Sequence, residues 1–242
     1  MHPMTFDIRA ITLDLDDTLW PFAPIGERIE RKLHAWLETH SPATAHQFPI
    51  EVMRELRTQV TADNPHLIHD LSALRKLTLE HALRHSGADL ALLEPAFEIF
   101  YAERNRVECY PDAVDALTRI AARVPVAALT NGNADLARCG LDQHFVFQLG
   151  AREHGAAKPE ASIFHAACVR LALPPEQVLH VGDHAVMDAA GAMRAGLRAA
   201  WLNREGAPWP LHEPRPDLEF STLTALADWL DAHLDDKDSA AA

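Results

Sequence analysis

The segment Ile11-Thr-Leu-Asp14-Leu-Asp16-Asp17-Thr18-Leu19 is an apolar, β-rich run that ends in carboxylates two residues apart. Residues two apart in extended chain point the same way, so Asp14 and Asp16 converge on one small volume. Paired carboxylates repel unless a cation or a shared proton compensates, which points to a metal. Three further segments carry groups that such a site would use. Ala128-Leu-Thr130-Asn131-Gly132-Asn133 ends a second apolar run with a hydroxyl and loop amides, a setting that suits an anion. Lys158-Pro159 opens a helical stretch, Pro159 being suited to its first turn. Val178-Leu-His-Val-Gly182-Asp183, followed by Asp188, delivers more acids from another strand end. Taken singly these are a strand-end hydroxyl, a solvated lysine and a helix cap. Their succession in this order places them in one site, since ligands of open α/β sheets bind beyond the carboxyl ends of the strands.

The elements that must position these residues are legible as alternation. Runs at 9–15, 124–130, 177–181 and 198–202 read as buried strands, and 113–122, 134–139, 159–171 and 185–195 carry helical signals, the last followed by Gly196 at a C-cap. Alternating strand and helix predicts an α/β fold, a Rossmann-like, doubly wound parallel sheet with helices on both faces. From 25 to 105 the rhythm breaks into helix after helix. Ile25, Ile29, Leu33 and Leu37 form one apolar stripe, Leu67, Leu71, Leu74 and Leu77 a second, and Leu90, Leu93, Phe97 and Tyr101 a third. A shorter helix at 50–60 completes a small bundle, with Pro42, Pro49 and Pro65 at turns and Pro95 starting a new turn or kinking the third stripe. The expected organisation is a core of 1–22 and 106–234, an inserted helical-bundle cap at 23–105, and a disordered tail at 235–242.

The chain has 242 residues, 48% hydrophobic and 24% charged, with a net charge of −13. That charge has the wrong sign for a protein held by nucleic-acid phosphates or anionic lipid, so neither nucleic acid nor membrane is an expected partner. Cys109, Cys139 and Cys168 are odd in number and lack metal-ligand spacing, which predicts a reduced, cytoplasmic setting. No window reaches the length of apolar sequence that a membrane span needs. His81 and His85 stand four apart, as zinc ligands can, but no third ligand accompanies them.

The four chemical segments resemble the four motifs of the haloacid dehalogenase-like hydrolase superfamily, and the likeness runs from about residue 8 to 230 with a type I helical cap. The resemblance implies Mg²⁺ as cofactor, Asp14 as nucleophile and metal ligand, and Asp16 as general acid/base with its main-chain carbonyl on the metal. It further implies Thr130 and Lys158 as a phosphate clamp aided by Asn131, Asp183 as a metal ligand, and Asp188 as an acid orienting Lys158 or metal-bound water. An acid at Asp16 favours a phosphatase over a dehalogenase, because halide leaves without protonation. Residue 184 is His where relatives often have a small polar residue, which leaves its role open.

The chain most resembles a bacterial branch acting on flavin mononucleotide (FMN) and on 5-amino-6-(5-phosphoribitylamino)uracil phosphate, in the riboflavin pathway. The carriers are Asp14-Leu-Asp-Asp-Thr-Leu-Trp20, Pro65-His-Leu-Ile-His69-Asp70, Leu129-Thr-Asn-Gly-Asn133, His154-Gly155 and Lys158-Pro159. Trp20 and Phe22 would stack on the flat ring, with His69 and Arg75 facing it from the cap. The partner is then a small-molecule phosphate monoester, handled by a monomer or homodimer. Other phosphatase substrates are sugar phosphates, phosphoglycolate and nucleotides. A phosphorylation-dependent regulator also gathers acids, a Thr and a Lys at strand ends, but has no large helical insertion and needs a third-strand Asp that this chain lacks.

Overall fold

The computed structural model describes residues 7–240. Six parallel strands form one sheet: β1 (Ala10–Leu13), β2 (Val126–Thr130), β3 (Phe147–Gly150), β4 (Val178–Gly182), β5 (Arg198–Leu202) and β6 (Leu218–Phe220), in the order β3-β2-β1-β4-β5-β6. Strand β1 is buried along its whole length, as a central parallel strand must be. The chain winds outward from β1 through β2 and β3, then returns to place β4 on its other side. The winding therefore reverses beside β1, the place where such sheets bind ligands. Register delivers the chemistry: Leu13 lies opposite both Ala128 and Val181, so Asp14, Thr130 and Asp183 leave the sheet at one edge.

Packing divides the chain into two units: one of residues up to Pro21, Glu108–Gly132 and from Gly140 onward, the other of Phe22–Val107 with Asn133–Cys139. The second unit contains α1 (Phe22–His40), α2 (Pro42–Gln47), α3 (Ile50–Asp63), α4 (Leu71–His85) and α5 (Leu93–Arg104). Ile25, Ile29, Leu33 and Leu37 are all buried on α1. The second stripe differs from expectation. Asp70 caps α4 by accepting from Ala73 N at 2.9 Å, so the helix starts at Leu71, while Leu67 sits in a separate 3-10 turn. The buried face is consequently Leu74, Thr78, Leu79, Ala82 and Leu83, with Leu71 exposed. Pro95 falls in the first turn of α5, where its missing N–H costs nothing, and Ala96, Phe97, Phe100 and Arg104 make the buried face.

In the sheet unit, α6 (Ala113–Arg123) packs on the C-terminal helix. The short α7 (Leu136–Cys139) groups instead with the helical unit, where Asn105 Oδ1 accepts from Asp135 N at 2.7 Å. After β3 come α8 (Ala151–His154) and α9 (Ala161–Leu171). Ile163, Phe164, Ala167 and Cys168 of α9 pack with Leu129, Leu149 and Val178 of the sheet. Full burial of such side chains contributes about 1.5–3 kcal/mol for each of the larger ones. The expected helix at 185–195 is a π-helical turn, Ala185–Ala190, running into α10 (Gly191–Arg194). The last helix, α11 (Leu223–Ala240), extends through most of the stretch expected as a disordered tail; residues 241–242 lie outside the described residues. No described helix is long and apolar enough to cross a membrane.

Candidate active site

Asp14, Asp16, Asp17, Thr130, Asn131, Gly132, Lys158, Asp183, His184, Met187 and Asp188 line one open cleft at the carboxyl edge of the sheet. At its floor Lys158 is buried, its ammonium 2.7 Å from Asp14 Oδ1 and 2.6 Å from Asp188 Oδ1. The lysine is held by its own backbone. Asn131 Oδ1 accepts from Lys158 N at 2.7 Å, and Asn131 Nδ2 donates to Lys158 O at 2.9 Å. The Asn131 side chain, expected on substrate, is thus spent on setting the lysine. Thr130 Oγ1 accepts from Gly132 N at 2.9 Å, which leaves its hydroxyl proton directed by whatever acceptor enters the cleft.

Behind Lys158 runs a buried polar chain that the motifs do not reveal. Asp188 Oδ1 also accepts from His180 Nε2 at 3.0 Å, and Asp188 Oδ2 accepts from His184 N at 2.9 Å. With Nε2 donating, His180 Nδ1 is the acceptor, taking the Thr12 hydroxyl proton at 2.9 Å. Thr12 and His180 are in-register partners on β1 and β4. A histidine inside an otherwise apolar strand is the available signal, because a buried imidazole needs a partner on each nitrogen. Gly182 is part of the same device: a Cβ there would stand 2.3 Å from Asp188 Cγ, so only glycine admits the carboxylate. His184 resolves as a cap, its Nδ1 accepting from Val186 N and Met187 N at 3.2 Å each.

One ammonium serves two carboxylates, and they share it unequally. Burial acts to raise Asp188, yet Lys158 and His180 hold it well below the usual carboxylate range. Asp14 is pushed up to about 8 by burial, with Asp188 and Asp183 adding to the rise and Lys158 opposing it. Asp183 rises to about 7, again chiefly by burial, with Asp188 and Asp17 contributing. Lys158 itself is raised, burial being overcome by Asp14 and Asp188.

The three acids Asp14, Asp183 and Asp188 place carboxylate oxygens within 4.8 Å of one another. Of these, Asp14 and Asp183 lack sufficient positive charge, which is the condition a hard divalent cation relieves. Asp183 is oriented for it, accepting from Thr18 Oγ1 at 3.2 Å, while Trp201 Nε1 donates to its main-chain carbonyl at 2.7 Å. Both raised carboxyls keep protons that the unfolded chain loses above 3.8. Their contribution to stability is therefore present below 3.8 and lost as pH rises toward about 8 in cation-free protein. A cation held by both must displace those protons. At pH 6.5 a divalent cation taken up by both carboxyls is expected to release about one to two protons per chain, read from buffer-dependent binding heats. Binding without proton release would remove Asp14 and Asp183 as the ligands.

Asp16 is separate from this cluster: its Oδ1 accepts from Trp20 Nε1 at 2.8 Å. Trp20 is 0% exposed, so it has no open face for a substrate ring, and the expected stacking role is withdrawn. Within the helical unit, Phe22 is exposed and carries the Arg104 guanidinium 5.3 Å from its ring centre. His69 is half-buried, and Arg75 lies over Phe100 at 4.6 Å on the wall of a cavity between α1, α3 and α4.

A family model for haloacid dehalogenase-like hydrolases matches residues 8–196. The chain is similar to 5-amino-6-(5-phospho-D-ribitylamino)uracil phosphatase YigB of Escherichia coli, 34% identical over 226 residues, or 90% of this chain and 94% of that protein. A phosphoserine phosphatase of Thermus thermophilus is 34% identical over 155 residues, 62% of each chain. A solved structure described as 2-haloacid dehalogenase from Pseudomonas syringae matches with a TM-score of 0.86 at 36% identity, covering 93% of this chain and 99% of that one.

Proposed function

Because the chain belongs to the haloacid dehalogenase-like hydrolases, we propose that it is a Mg²⁺-dependent phosphatase of small-molecule phosphate monoesters, working through an aspartyl-phosphate. The observation that carries this reading is Asp16, a second carboxylate two residues from Asp14 and bonded to Trp20 rather than to Lys158. Asp14, Asp183 and the main-chain carbonyl of Asp16 would hold the ion, which when bound neutralises phosphoryl oxygens and keeps Asp14 ionised. Asp14 Oδ attacks phosphorus, and the bond from phosphorus to the ester oxygen breaks with its electron pair on that oxygen. Protonated Asp16 gives its proton to the departing alkoxide. Water then attacks the phosphoryl group and yields a proton to Asp16, the bond to Asp14 breaks, and inorganic phosphate leaves. Lys158, Thr130 and the loop amides face the phosphoryl oxygens throughout, and Asp188 holds Lys158 in place.

The likeness to YigB supports 5-amino-6-(5-phospho-D-ribitylamino)uracil as substrate, and FMN, the other ring phosphate the motifs suggest, is proposed beside it. The net charge of −13 supports a small ligand over nucleic acid or membrane, and the three cysteine thiols support a reduced, cytoplasmic setting. Phe22, His69 and Arg75 are the remaining candidates for contact with the organic part of it. One observation favours a second reading, dehalogenation: the similarity to a structure described as a 2-haloacid dehalogenase. Halide needs no proton, so that chemistry gives Asp16 no task.

A substrate panel separates the two. Purified protein with Mg²⁺ is offered FMN, the aminouracil phosphate, sugar phosphates, phosphoglycolate, nucleoside monophosphates and 2-chloropropionate. Phosphate release abolished by chelation is expected, with the two ring compounds preferred. Chloride release without phosphate release would overturn the phosphatase reading, and preference for a sugar phosphate would overturn the flavin-pathway substrate alone.

A further inference from the structure

Within one tight loop the structure gives the two functional acids different donors. Asp17 adopts a left-handed conformation at φ 56°, turning the chain so that Trp20 returns beside Asp16. Asp17 N then donates to Trp20 O at 2.7 Å, and the indole Nε1 donates to Asp16 Oδ1 at 2.8 Å. Two residues before the tryptophan, Thr18 Oγ1 donates to Asp183 instead. The loop is fixed from behind: Tyr110 N donates to Leu19 O at 2.9 Å, and Arg204 Nη2 donates to Thr18 O at 3.0 Å. The indole is wholly buried, so its N–H has no solvent alternative to Asp16.

The kind of donor matters as much as its place. A charged donor favours the anion over the acid, as Lys158 and His180 together do for Asp188. A neutral indole N–H can donate to a carboxylate oxygen and, more weakly, to the carbonyl oxygen of the protonated acid. An acid/base residue must pass through both states in every turnover, and a neutral donor can stay bonded in both while favouring the anion less than a charged one would.

We propose that Trp20 is a positioning residue whose indole N–H holds Asp16 Oδ1 in both protonation states, so that the proton is given and taken at Oδ2 facing the ester oxygen. This rests on the phosphatase reading above. In the first step the bond between phosphorus and the ester oxygen breaks, the Oδ2 proton moves to that oxygen, and the Oδ1 bond to Trp20 persists. In the second, a water proton returns to Oδ2 as its oxygen joins phosphorus and the bond to Asp14 breaks.

The test replaces only the donor. Trp20→Phe removes the N–H and leaves a smaller ring; incorporation of 3-benzothienylalanine at position 20 keeps the ring shape with sulfur in place of N–H. Single-turnover rates are measured for an alkyl ester such as glycerol 2-phosphate and for p-nitrophenyl phosphate, whose leaving group hardly needs a proton. The alkyl ester is expected to react about ten- to a hundredfold more slowly in both variants, and the nitrophenyl burst less than about threefold more slowly. Equal losses for the two esters in the benzothienyl protein, or no loss for either, would overturn the positioning role. Failure of the phosphatase reading looks different: the unaltered protein would then release no phosphate from either ester, or Asp16→Asn would slow both alike.

Discussion

Asp14→Asn is expected to lower phosphate release by at least about a thousandfold while the protein stays folded, because an amide neither attacks phosphorus nor holds a divalent cation well. The folded state should tolerate the change for a specific reason. The substituted amide keeps an oxygen where Asp14 Oδ1 now meets Lys158 at 2.7 Å, and it removes a buried carboxyl already pushed up to about 8. At pH 8 without added cation, the variant should therefore melt no lower than the parent. Acid-quenched parent enzyme should carry phosphate on the Asp14 peptide, and the variant none. Turnover above a few per cent of the parent, in protein free of deamidation, would sink the nucleophile assignment.

Lys158→Met should damage both stability and turnover. Lys158 and Asp188 side chains are 2% and 1% exposed, so removal of the ammonium leaves Asp188 charged and buried with only His180 and a backbone amide beside it. Breaking such a pair costs about 3–5 kcal/mol, seen as a lowered denaturant midpoint at constant slope. Activity should fall at least about a hundredfold, since a fixed cation facing the phosphoryl oxygens is lost. The double variant Lys158→Met with Asp188→Asn distinguishes the two effects: it should recover much of the stability and none of the turnover. A single variant less than about 1 kcal/mol below the parent would show that the two groups are not coupled in a dry environment.

The clustered acids Asp14 and Asp183 are legible in the sequence because each follows an apolar run, and the carboxyl end of such a strand in a parallel sheet is where ligands bind. Lys158 is legible as a cation next to a helix start, but its burial is not, since nothing local distinguishes it from a solvated lysine. The Thr12 and His180 pair is hidden by strand residues that resemble ordinary β formers until register sets them opposite each other. Trp20 misleads because a bulky aromatic beside a loop looks available to a ligand, and only the left-handed turn at Asp17 folds it inward. Strands β3 and β6 do not stand out because four- and three-residue strands with half-exposed ends have too little periodicity. In α4 the leucine spacing suggests one face, but Asp70 fixes where the helix begins and so which leucines face inward.

The grouping of Asn133–Cys139 with the helical unit bears on how these proteins can be recombined. Arg104 Nε donates to Asn133 Oδ1 at 3.0 Å, and Asn133 Nδ2 donates to Ser72 Oγ at 3.1 Å. Grafting only Phe22–Val107 of this chain onto a relative would carry Arg104 and Ser72 away from Asn133, which both of them bond. The transferable module is therefore two separate stretches of chain rather than one. Swaps that also carry 133–139 should yield soluble chimeras where exchange of the single stretch leaves polar groups of the graft unmatched.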